Sequence, residues 1–354
     1  MIQKIWFTFI WSTIKCGLFF YSKKINVLGK KNIPKKGAVL FAVNHPNGLL
    51  DPLYVTTTNK RQNHFLVRAA SFKHPFIKKI LVSLYLMPIY RVRDGVQQLS
   101  NNQEIFEKCH AILKKKETLM IFPEGSHNKK RTVRPLSKGF IRIVFGALEK
   151  YKDLEITVVP VGITYQHTSH YPAKVSINYG KPITTRSLYE SHPIPKSTRI
   201  LKEKVQEQLK VLSVHIPDNL EYERILQQLN NAQIDFTEVT KTNEMIEARK
   251  FPSKKPPKKN YLKPLLYLIK LNSILPYIIW KKISKNINEV EFIDTFRFSL
   301  NLFLCVLFYS IQATIISRYF GSALGLFYLT TSALLIIIYV KLAPTNAKED
   351  TALV

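Results

Sequence analysis

The chain has 354 residues, 53 Lys and Arg against 24 Asp and Glu, and a formal net charge of +29. This length exceeds that of most single domains, so we expect one domain of about 150 to 200 residues with appended segments. The charge favours an anionic partner: lipid headgroups, nucleic acid or phosphorylated substrates. Cys16, Cys109 and Cys305 lie far apart without metal-ligand spacing, which argues against structural disulfides and zinc and indicates a reduced, cytosol-facing protein.

Residues 1–24 are predicted to form an N-terminal membrane-associated helix. The stretch Ile5–Tyr21 is rich in Trp and Phe but carries Lys15, a composition typical of a helix that lies at a membrane interface. It has no small-residue cleavage site, so we interpret it as a retained anchor and not as a removable signal peptide.

Residues 25–185 are predicted to form an α/β domain whose mainly parallel sheet is flanked by helices. Apolar runs of strand length are the predicted strands: Gly37–Val43, Leu81–Tyr90, Thr118–Phe122, Ile156–Ile163 and Val175–Tyr179. Two stretches with helical periodicity are the predicted helices: Val96–Lys115 and Phe140–Tyr151.

The first predicted strand runs directly into the loop Asn44-His45-Pro46-Asn47-Gly48, and Asp51 follows shortly after. Histidine, with a pKa near ~6.5, is the usual residue for taking a proton from a hydroxyl, and a carboxylate can hold its tautomer and stabilise the imidazolium. His45 and Asp51 are therefore the candidate catalytic base and its orienting group. Taken alone the pair is weak evidence, because a capping Asp and a hydrogen-bonded His at a strand end occur in many folds.

A second candidate stretch is the turn Phe122-Pro123-Glu124-Gly125-Ser126-His127, which follows another predicted strand. Its backbone, with nearby cations, could bind phosphate; these cations are Lys129, Lys130, Arg131, Arg134 and Lys138. The alternative is a solvated basic loop.

Three segments follow the α/β domain before the most apolar part of the chain. Residues 186–250 read as a polar helical region, and residues 251–263 as a semi-extended basic Lys/Pro linker. Residues 264–297 are predicted to be interfacial helices, because Tyr261–Trp280 mixes Leu and Ile with Lys and Pro. A basic tract beside such a segment favours anionic lipid over nucleic acid, and the chain has no nucleic-acid recognition motif.

Residues 298–341 are predicted to form a transmembrane hairpin, and residues 342–354 a tail. Phe298–Ile316 and Phe320–Val340 contain no Asp, Glu or Lys and are nearly long enough to span a bilayer, with a joint at Ser317–Tyr319. Lysines before and after the pair predict that both ends are cytosolic. The alternative, a buried helical pair of a soluble core, is disfavoured because soluble helices usually interrupt such runs with polar residues.

Taken together, these stretches resemble the phospholipid and glycerol acyltransferases, which make phosphatidate from glycerol 3-phosphate and its 1-acyl derivative. The resemblance covers roughly residues 25–185. Asn44-His45 with Asp51 matches the first motif of that family, Phe122–Gly125 matches the third, and Val159–Gly162 matches the fourth.

The resemblance implies a glycerol-3-phosphate acyltransferase-like fold and a role for each matching residue. His45 would be the general base and Asp51 its orienting group. Glu124 and Gly125, with Ser126 beside them, would belong to the glycerol-phosphate site, and Pro160 would shape the acyl-donor pocket.

The second motif of the family, which supplies an arginine for the substrate phosphate, falls at Pro88–Asp94 and leaves Arg91 and Arg93 as competing candidates. A planar guanidinium suits this role because it binds phosphate oxygens bidentately and stays charged. Five residues separate His45 from Asp51 where the commonest family pattern has four. A branch similar to eukaryotic glycerol-3-phosphate acyltransferases also has five, so acylation at sn-1 and at sn-2 both stay open.

The expected activity is membrane-bound O-acyl transfer in phospholipid biosynthesis, from an acyl-CoA or acyl carrier protein thioester to a glycerol-phosphate acceptor. No cofactor or metal is implied. The expected location is the membrane, with a multi-pass chain and the catalytic domain facing the cytosol. The alternative is a catalytically inactive membrane-tethering or lipid-binding protein with an acyltransferase-like domain.

Overall fold

A mixed β-sheet forms the centre of the fold. The structure, a computed structural model, describes residues 2–90, 100, 102–287 and 292–347, with side chains from residue 5 onward. The strands are β1 (Ser22–Leu28), β2 (Ala38–Val43), β3 (Asn63–Arg68), β4 (Leu86–Ile89), β5 (Thr118–Ile121), β6 (Ile156–Tyr165), β7 (Ala173–Tyr179) and β8 (Ile183–Thr184). Their order is β1-β7-β6-β2-β5-β3-β4, with β8 paired to β6.

Most neighbouring strands in this sheet run parallel. The antiparallel exceptions among the described strands are the pairs β6–β7 and β6–β8, whereas β2 lies between β5 and β6 and is parallel to both. The prediction of a mainly parallel sheet flanked by helices is confirmed.

Helices cover both faces of the sheet. Those up to residue 247 are α1 (Ile2–Tyr21), α2 (Leu50–Thr58), α3 (Pro75–Ser83), α4 (Asn102–Lys114), α5 (Gly139–Lys150), α6 (Arg186–Ser191), α7 (Ile194–Leu212), α8 (Tyr222–Asn231) and α9 (Val239–Glu247). Alternate residues of β2 point to opposite sides, since Leu40 joins a core with α4, α5 and α7 while Phe41 joins a core with α1 and α2. A strand buried on both faces explains the uninterrupted apolar run in its sequence.

Some of the predicted strands and helices are confirmed and others are wrong. β2, β5, β6, β7 and α5 lie where the sequence predicted them. The strand predicted at Leu81–Tyr90 was wrong in its first half, because Leu81–Ser83 belong to α3 and residues 84–85 form a turn. Pro75 lies in the first turn of that helix, where its missing N–H costs nothing. The helix predicted at Val96–Lys115 corresponds to α4, and residues 96–99 and 101 lie outside the described residues.

Two strands, β1 and β3, were not predicted from the sequence. β1 follows α1 without a break and carries Lys23 and Lys24, which hide its apolar alternation. β3 reads Asn-His-Phe-Leu-Val-Arg, with only three apolar residues in a row. Both lie near the edges of the sheet, where polar residues are tolerated.

Four further helices follow the linker: α10 (Lys263–Asn272), α11 (Ile274–Ser284), α12 (Ile293–Phe320) and α13 (Ser322–Leu342). Among the described residues, α12 and α13 are the two helices long and apolar enough to cross a membrane. The predicted joint at Ser317–Tyr319 was misplaced, because α12 continues to Phe320. The turn lies at Gly321, whose φ of 94° is a conformation that favours glycine.

The segment Tyr261–Trp280, predicted as an interfacial helix, contributes to two helices that meet at Ser273. The Ser273 hydroxyl is hydrogen-bonded to the Tyr309 hydroxyl at 2.6 Å, and Asn272 Nδ2 donates to Ser332 Oγ at 3.0 Å. The tip of this helical pair is therefore fixed to the middle of α12 and α13.

Candidate active site

The loop after β2 carries the predicted base and its orienting group. Asn44 extends the strand: its side-chain amide donates to Ile163 O at 3.0 Å, and Ile163 N donates to its Oδ1 at 2.6 Å. Asp51 lies in the first turn of α2, which begins at Leu50. The extra residue between His45 and Asp51 is thus accommodated in a loop, at the carboxyl end of a central parallel strand where α/β sheets bind ligands.

His45 and Asp51 form a hydrogen-bonded pair. The imidazole Nδ1 lies 2.7 Å from Asp51 Oδ2, with the carboxylate fully buried and the imidazole 12% exposed. Asn47 N donates to Oδ2 at 2.8 Å and Tyr165 Oη donates to Oδ1 at 2.7 Å. This pairing assigns the proton to Nδ1 and the acceptor role to Nε2, the tautomer that a general base needs.

Burial and hydrogen bonding shift the pKa of Asp51 in opposite directions. Burial raises the pKa of this carboxyl, while the hydrogen bonds from Tyr165 and Asn47 lower it; the net direction is upward. A buried carboxylate of this kind is stabilised most when its imidazole neighbour becomes positively charged. The pair is therefore built to stabilise a proton arriving at His45.

The second candidate stretch packs directly onto this pair. The Phe122 ring stacks on the His45 imidazole with centroids 4.0 Å apart and planes at 20°. The His127 ring lies edge-on at 5.7 Å, and Asn128 N donates to His45 O at 2.9 Å. Because β5 lies beside β2 in the sheet, the structure brings the two predicted loops together.

Within this turn, Glu124 forms an ion pair with Arg134. Arg134 Nη2 and Nε donate to Glu124 Oε2 at 2.8 and 3.1 Å, and Nη1 donates to Ser126 Oγ at 2.7 Å. Glu124 is 3% exposed, and burial raises its pKa while Arg134 opposes that shift. Its other oxygen, Oε1, has no hydrogen-bond partner within the described part of the chain. Gly125, with a φ of 77°, makes the turn possible.

The remaining predicted site residues are Pro160, Arg91 and Arg93, which do not lie in the two loops. Pro160 is buried within β6, in register with Ala42 of β2. Arg91 and Arg93 lie outside the described residues. The choice between these two arginines stays a prediction.

Several cations expected to bind phosphate are instead bonded within the protein. Lys130 Nζ is paired with Asp218 Oδ1 at 2.9 Å. Arg131 donates to the carbonyls of Tyr165 and Gln166 at 2.8 and 2.7 Å. Together with Arg134, these residues connect the loop to neighbouring parts of the protein.

Three contributors to the site were missed by sequence reasoning: Tyr165, Thr295 and Phe292. Leu49 N donates to Thr295 Oγ1 at 3.0 Å, and the Phe292 ring lies 5.0 Å from that of His127. Tyr165 could have been suspected, since it ends the strand that carries the fourth motif. No local signal links α12, where Thr295 lies, to a loop 246 residues earlier.

The segment that follows α7 holds the basic loop through His215. Val133 N donates to His215 Nδ1 at 3.1 Å, which requires an unprotonated Nδ1. Burial, with nearby Lys210, lowers the pKa of His215 from its usual 6.5 to about 4. The unfolded chain binds a proton at His215 more tightly than the folded chain does. The titration of His215 therefore leaves the free energy of unfolding unchanged above pH 6.5 and lowers it increasingly as the pH falls to about 4.

We therefore expect His215→Asn, which keeps an acceptor for Val133 N–H but does not titrate, to lose less thermal stability than the wild type between pH 7 and pH 5. Thermal unfolding of the full chain across this range measures the difference. His74→Asn, at an exposed histidine, is the matched control and should follow the wild type. If His215→Asn and the wild type lost the same thermal stability between pH 7 and pH 5, the lowered pKa of His215 would be contradicted.

Residues 24–164 match the Acyltransferase family. Over 122 residues, 33% of this chain, the sequence is 26% identical to glycerol-3-phosphate O-acyltransferase 2 of Saccharomyces cerevisiae, of which it covers 16%. Over 130 residues, 37% of this chain, it is 27% identical to a 1-acyl-sn-glycerol-3-phosphate acyltransferase of Borreliella burgdorferi, of which it covers 50%. A crystal structure of the 1-acyl-sn-glycerophosphate acyltransferase from Thermotoga maritima aligns over 60% of this chain and 83% of its own, with 17% identity and a TM-score of 0.43.

The matches span half or less of these two curated relatives. They cover the segment that contains the His45–Asp51 pair and the Glu124 turn. Residues 24–164 therefore form an Acyltransferase domain that is similar to segments of glycerol-3-phosphate and 1-acyl-sn-glycerol-3-phosphate acyltransferases.

Proposed function

We propose that this protein is a membrane-bound O-acyltransferase that moves a fatty acyl group from an acyl thioester to a glycerol-phosphate acceptor in phospholipid biosynthesis. The observation that carries the proposal is the 2.7 Å contact between His45 Nδ1 and Asp51 Oδ2, beside the Glu124 turn. The named activities of the yeast and Borreliella relatives support the same class of acceptor.

In the proposed reaction, a hydroxyl of the acceptor attacks the thioester carbonyl while its proton passes to His45 Nε2. The imidazolium that forms is stabilised by buried Asp51. Collapse of the tetrahedral intermediate breaks the C–S bond, and His45 returns the proton to the departing thiolate. The products are an ester and a free thiol, and no covalent acyl-enzyme is needed because the substrate supplies the nucleophile.

The acceptor is proposed to lie against the Glu124 turn. Glu124 Oε1 is buried and without a partner among the described residues, so a second hydroxyl of the glycerol unit can donate a hydrogen bond to it. Gly125 leaves open space above the turn. The phosphate is assigned to Arg91 or Arg93, and Pro160 is assigned to the wall of the acyl-donor pocket.

We further propose a multi-pass chain whose catalytic domain faces the cytosol. The length and hydropathy of α12 and α13 support two spans. Lys341, near the end of α13, donates to Ser22 O at 2.7 Å, which keeps the ends of the spans beside the domain. The positive-inside rule favours the cytosol for this side of the membrane.

The test is acyl transfer by purified membranes that contain the full chain, from a labelled acyl thioester to glycerol 3-phosphate or 1-acylglycerol 3-phosphate supplied separately. Acyl-CoA and acyl carrier protein donors are compared, with His45→Ala as the background. We expect product that depends on His45 with at least one acceptor, because His45 takes the hydroxyl proton in the proposed reaction. Product from the 1-acyl acceptor alone assigns sn-2 acylation, and product from glycerol 3-phosphate assigns sn-1.

Product from neither acceptor, in membranes where the folded chain is present, would contradict the proposal. That result would favour an inactive tether with an acyltransferase-like domain. Product unchanged in His45→Ala would contradict the mechanism even if the acceptor class were right.

A further inference from the structure

A large cavity lies between the acyltransferase domain and the C-terminal helices. Its volume is about 1390 Å³, above the ~300–1,000 Å³ of pockets that hold drug-sized ligands. Its walls come from α1, α10, α11, α12 and α13, together with residues 167, 170–172, 257–261 and 344–346. Neither the His45–Asp51 pair nor the Glu124 turn is among the described residues that line it.

The cavity is elongated along α12. The residues of this helix that line it run from Arg297 to Ser310, which corresponds to about 20 Å at 1.5 Å per residue. The apolar half-thickness of a bilayer is about 15 Å, half of the ~30 Å hydrocarbon core. One fatty acyl chain of a single leaflet therefore fits this length.

The wall along this length is mostly apolar. Phe298, Leu302 and Val306 of α12 line the cavity together with Leu329 and Ile336 of α13. The tip of the α10–α11 pair meets this wall deep along α12, where Ser273 and Tyr309 are hydrogen-bonded to each other.

The charges around the cavity all have one sign. Six cations line it, namely Lys258, Lys259, Lys263, Lys270, Lys281 and Arg297, and no Asp or Glu is among the described lining residues. Lys258 N donates to Asn346 Oδ1 at 2.8 Å, and Asn346 Nδ2 donates to Lys258 O at 3.1 Å. This pairing fixes the linker beside the end of α13, so its exposed lysines form a basic rim at the domain side of the cavity.

A buried wall separates the cavity from the catalytic loop. Tyr21 and Arg297 both line the cavity, and both donate to Asp294 Oδ1, at 2.7 and 3.2 Å. Arg297 Nη1 also donates to Ser169 O at 3.0 Å. On the far side of this wall, Thr295 accepts the hydrogen bond from Leu49 in the catalytic loop.

We infer that this cavity is a binding site for an anionic phospholipid of the surrounding bilayer, held as a ligand and not as a substrate. Its phosphate lies at the basic rim formed by Lys258 and Lys259, and one acyl chain lies along α12. The charge complementarity and the continuity with the two candidate spans identify this occupant. The inference rests on the membrane placement of α12 and α13 and is independent of catalysis.

The experiment uses the full chain reconstituted into phosphatidylcholine vesicles that contain a trace of phosphatidylglycerol with a diazirine in its acyl chain. After irradiation, labelled peptides are mapped by mass spectrometry. We expect label on Asn301 and Cys305, which line the cavity, in excess over Phe303 and Leu307, which face outward. A diazirine phosphatidylcholine probe is expected to label these positions less.

Matched variants separate site binding from general contact with lipid. Cys305→Trp is expected to lower labelling of the cavity face about tenfold, since excluding two methylene groups is already enough for that change. Ala333→Trp blocks the opposite wall and should act alike. Leu307→Trp, on the outer face, should have no effect.

The basic rim is tested in the same way. Lys258→Gln with Lys259→Gln is expected to lower phosphatidylglycerol labelling about fivefold per lysine. Lys254→Gln with Lys255→Gln, in the same linker but outside the lining, should leave it unchanged.

Equal labelling of both faces of α12, unaffected by Cys305→Trp and Ala333→Trp in chains with wild-type thermal stability, would overturn the inference. An excess of unlabelled phosphatidylglycerol, whose sn-1 and sn-2 hydroxyls are already acylated, is expected to displace the label. Label that stays in place under this excess would overturn the assignment of a specific site. None of these readouts requires acyl transfer, so the proposed function can fail without affecting them.

Discussion

Acyl transfer is expected to fall by about 10²–10⁴-fold when His45 is replaced by Ala, because general-base catalysis contributes a factor of that size. Asp51→Asn should cost nearly as much, since an amide at this position can favour the wrong imidazole tautomer and cannot stabilise the imidazolium. The double variant should be no slower than the worse single one, because residues that act as one unit are not additive. Initial rates per folded enzyme measure all three.

The chain offers a matched control for this prediction. His64 Nε2 lies 2.8 Å from Glu117 Oε2, a second imidazole–carboxylate pair of nearly the same length. His64 lies at the start of β3, and Glu117 directly precedes β5. This pair therefore lies at the amino ends of the parallel strands, whereas His45 follows the carboxyl end of β2. His64→Ala should keep its activity per folded molecule. Additive losses in the His45 and Asp51 variants, or an equal loss in His64→Ala, would refute the catalytic unit.

The strands that the sequence predicted correctly are those that are almost entirely buried. β2 is predictable because helices cover both of its faces, which forces every residue from Ala38 to Val43 to be apolar. β1 and β3 were missed because strands near a sheet edge carry charged residues. The end of α3, Leu81–Ser83, was mistaken for part of a strand. Phe76, Ile77 and Ile80 of the same helix are exposed, so the apolar residues of α3 do not mark a buried core.

The site was predictable where its residues are close in sequence and obscure where they are not. His45 and Asp51 are joined by one short loop, and a strand-end loop is a favoured position for function. The roles of Tyr165 and Thr295 depend on contacts across 114 and 246 positions, which a single sequence does not reveal. Likewise, the sequence of the basic cluster after the turn predicts a phosphate site. The structure shows that one of its cations, Arg134, is instead paired with Glu124.

That ion pair gives the second large prediction. Arg134→Met would leave the Glu124 carboxylate buried without its partner, and breaking a buried pair in this way typically costs about 3–5 kcal/mol. We expect a clear drop in thermal stability and loss of acyl transfer, because the turn that packs on His45 would rearrange. Arg142→Met, at an exposed arginine of α5, is the control and should change neither.

Adding Glu124→Met to Arg134→Met separates the structural role of Glu124 from its role toward the acceptor. The double variant has no unpaired buried charge, so most of the lost thermal stability should return. Acyl transfer should stay low, since the acceptor would still lack the carboxylate oxygen proposed to receive its hydrogen bond. If activity returned together with stability, Glu124 would serve only to hold the turn, and the acceptor would have to be held by other groups.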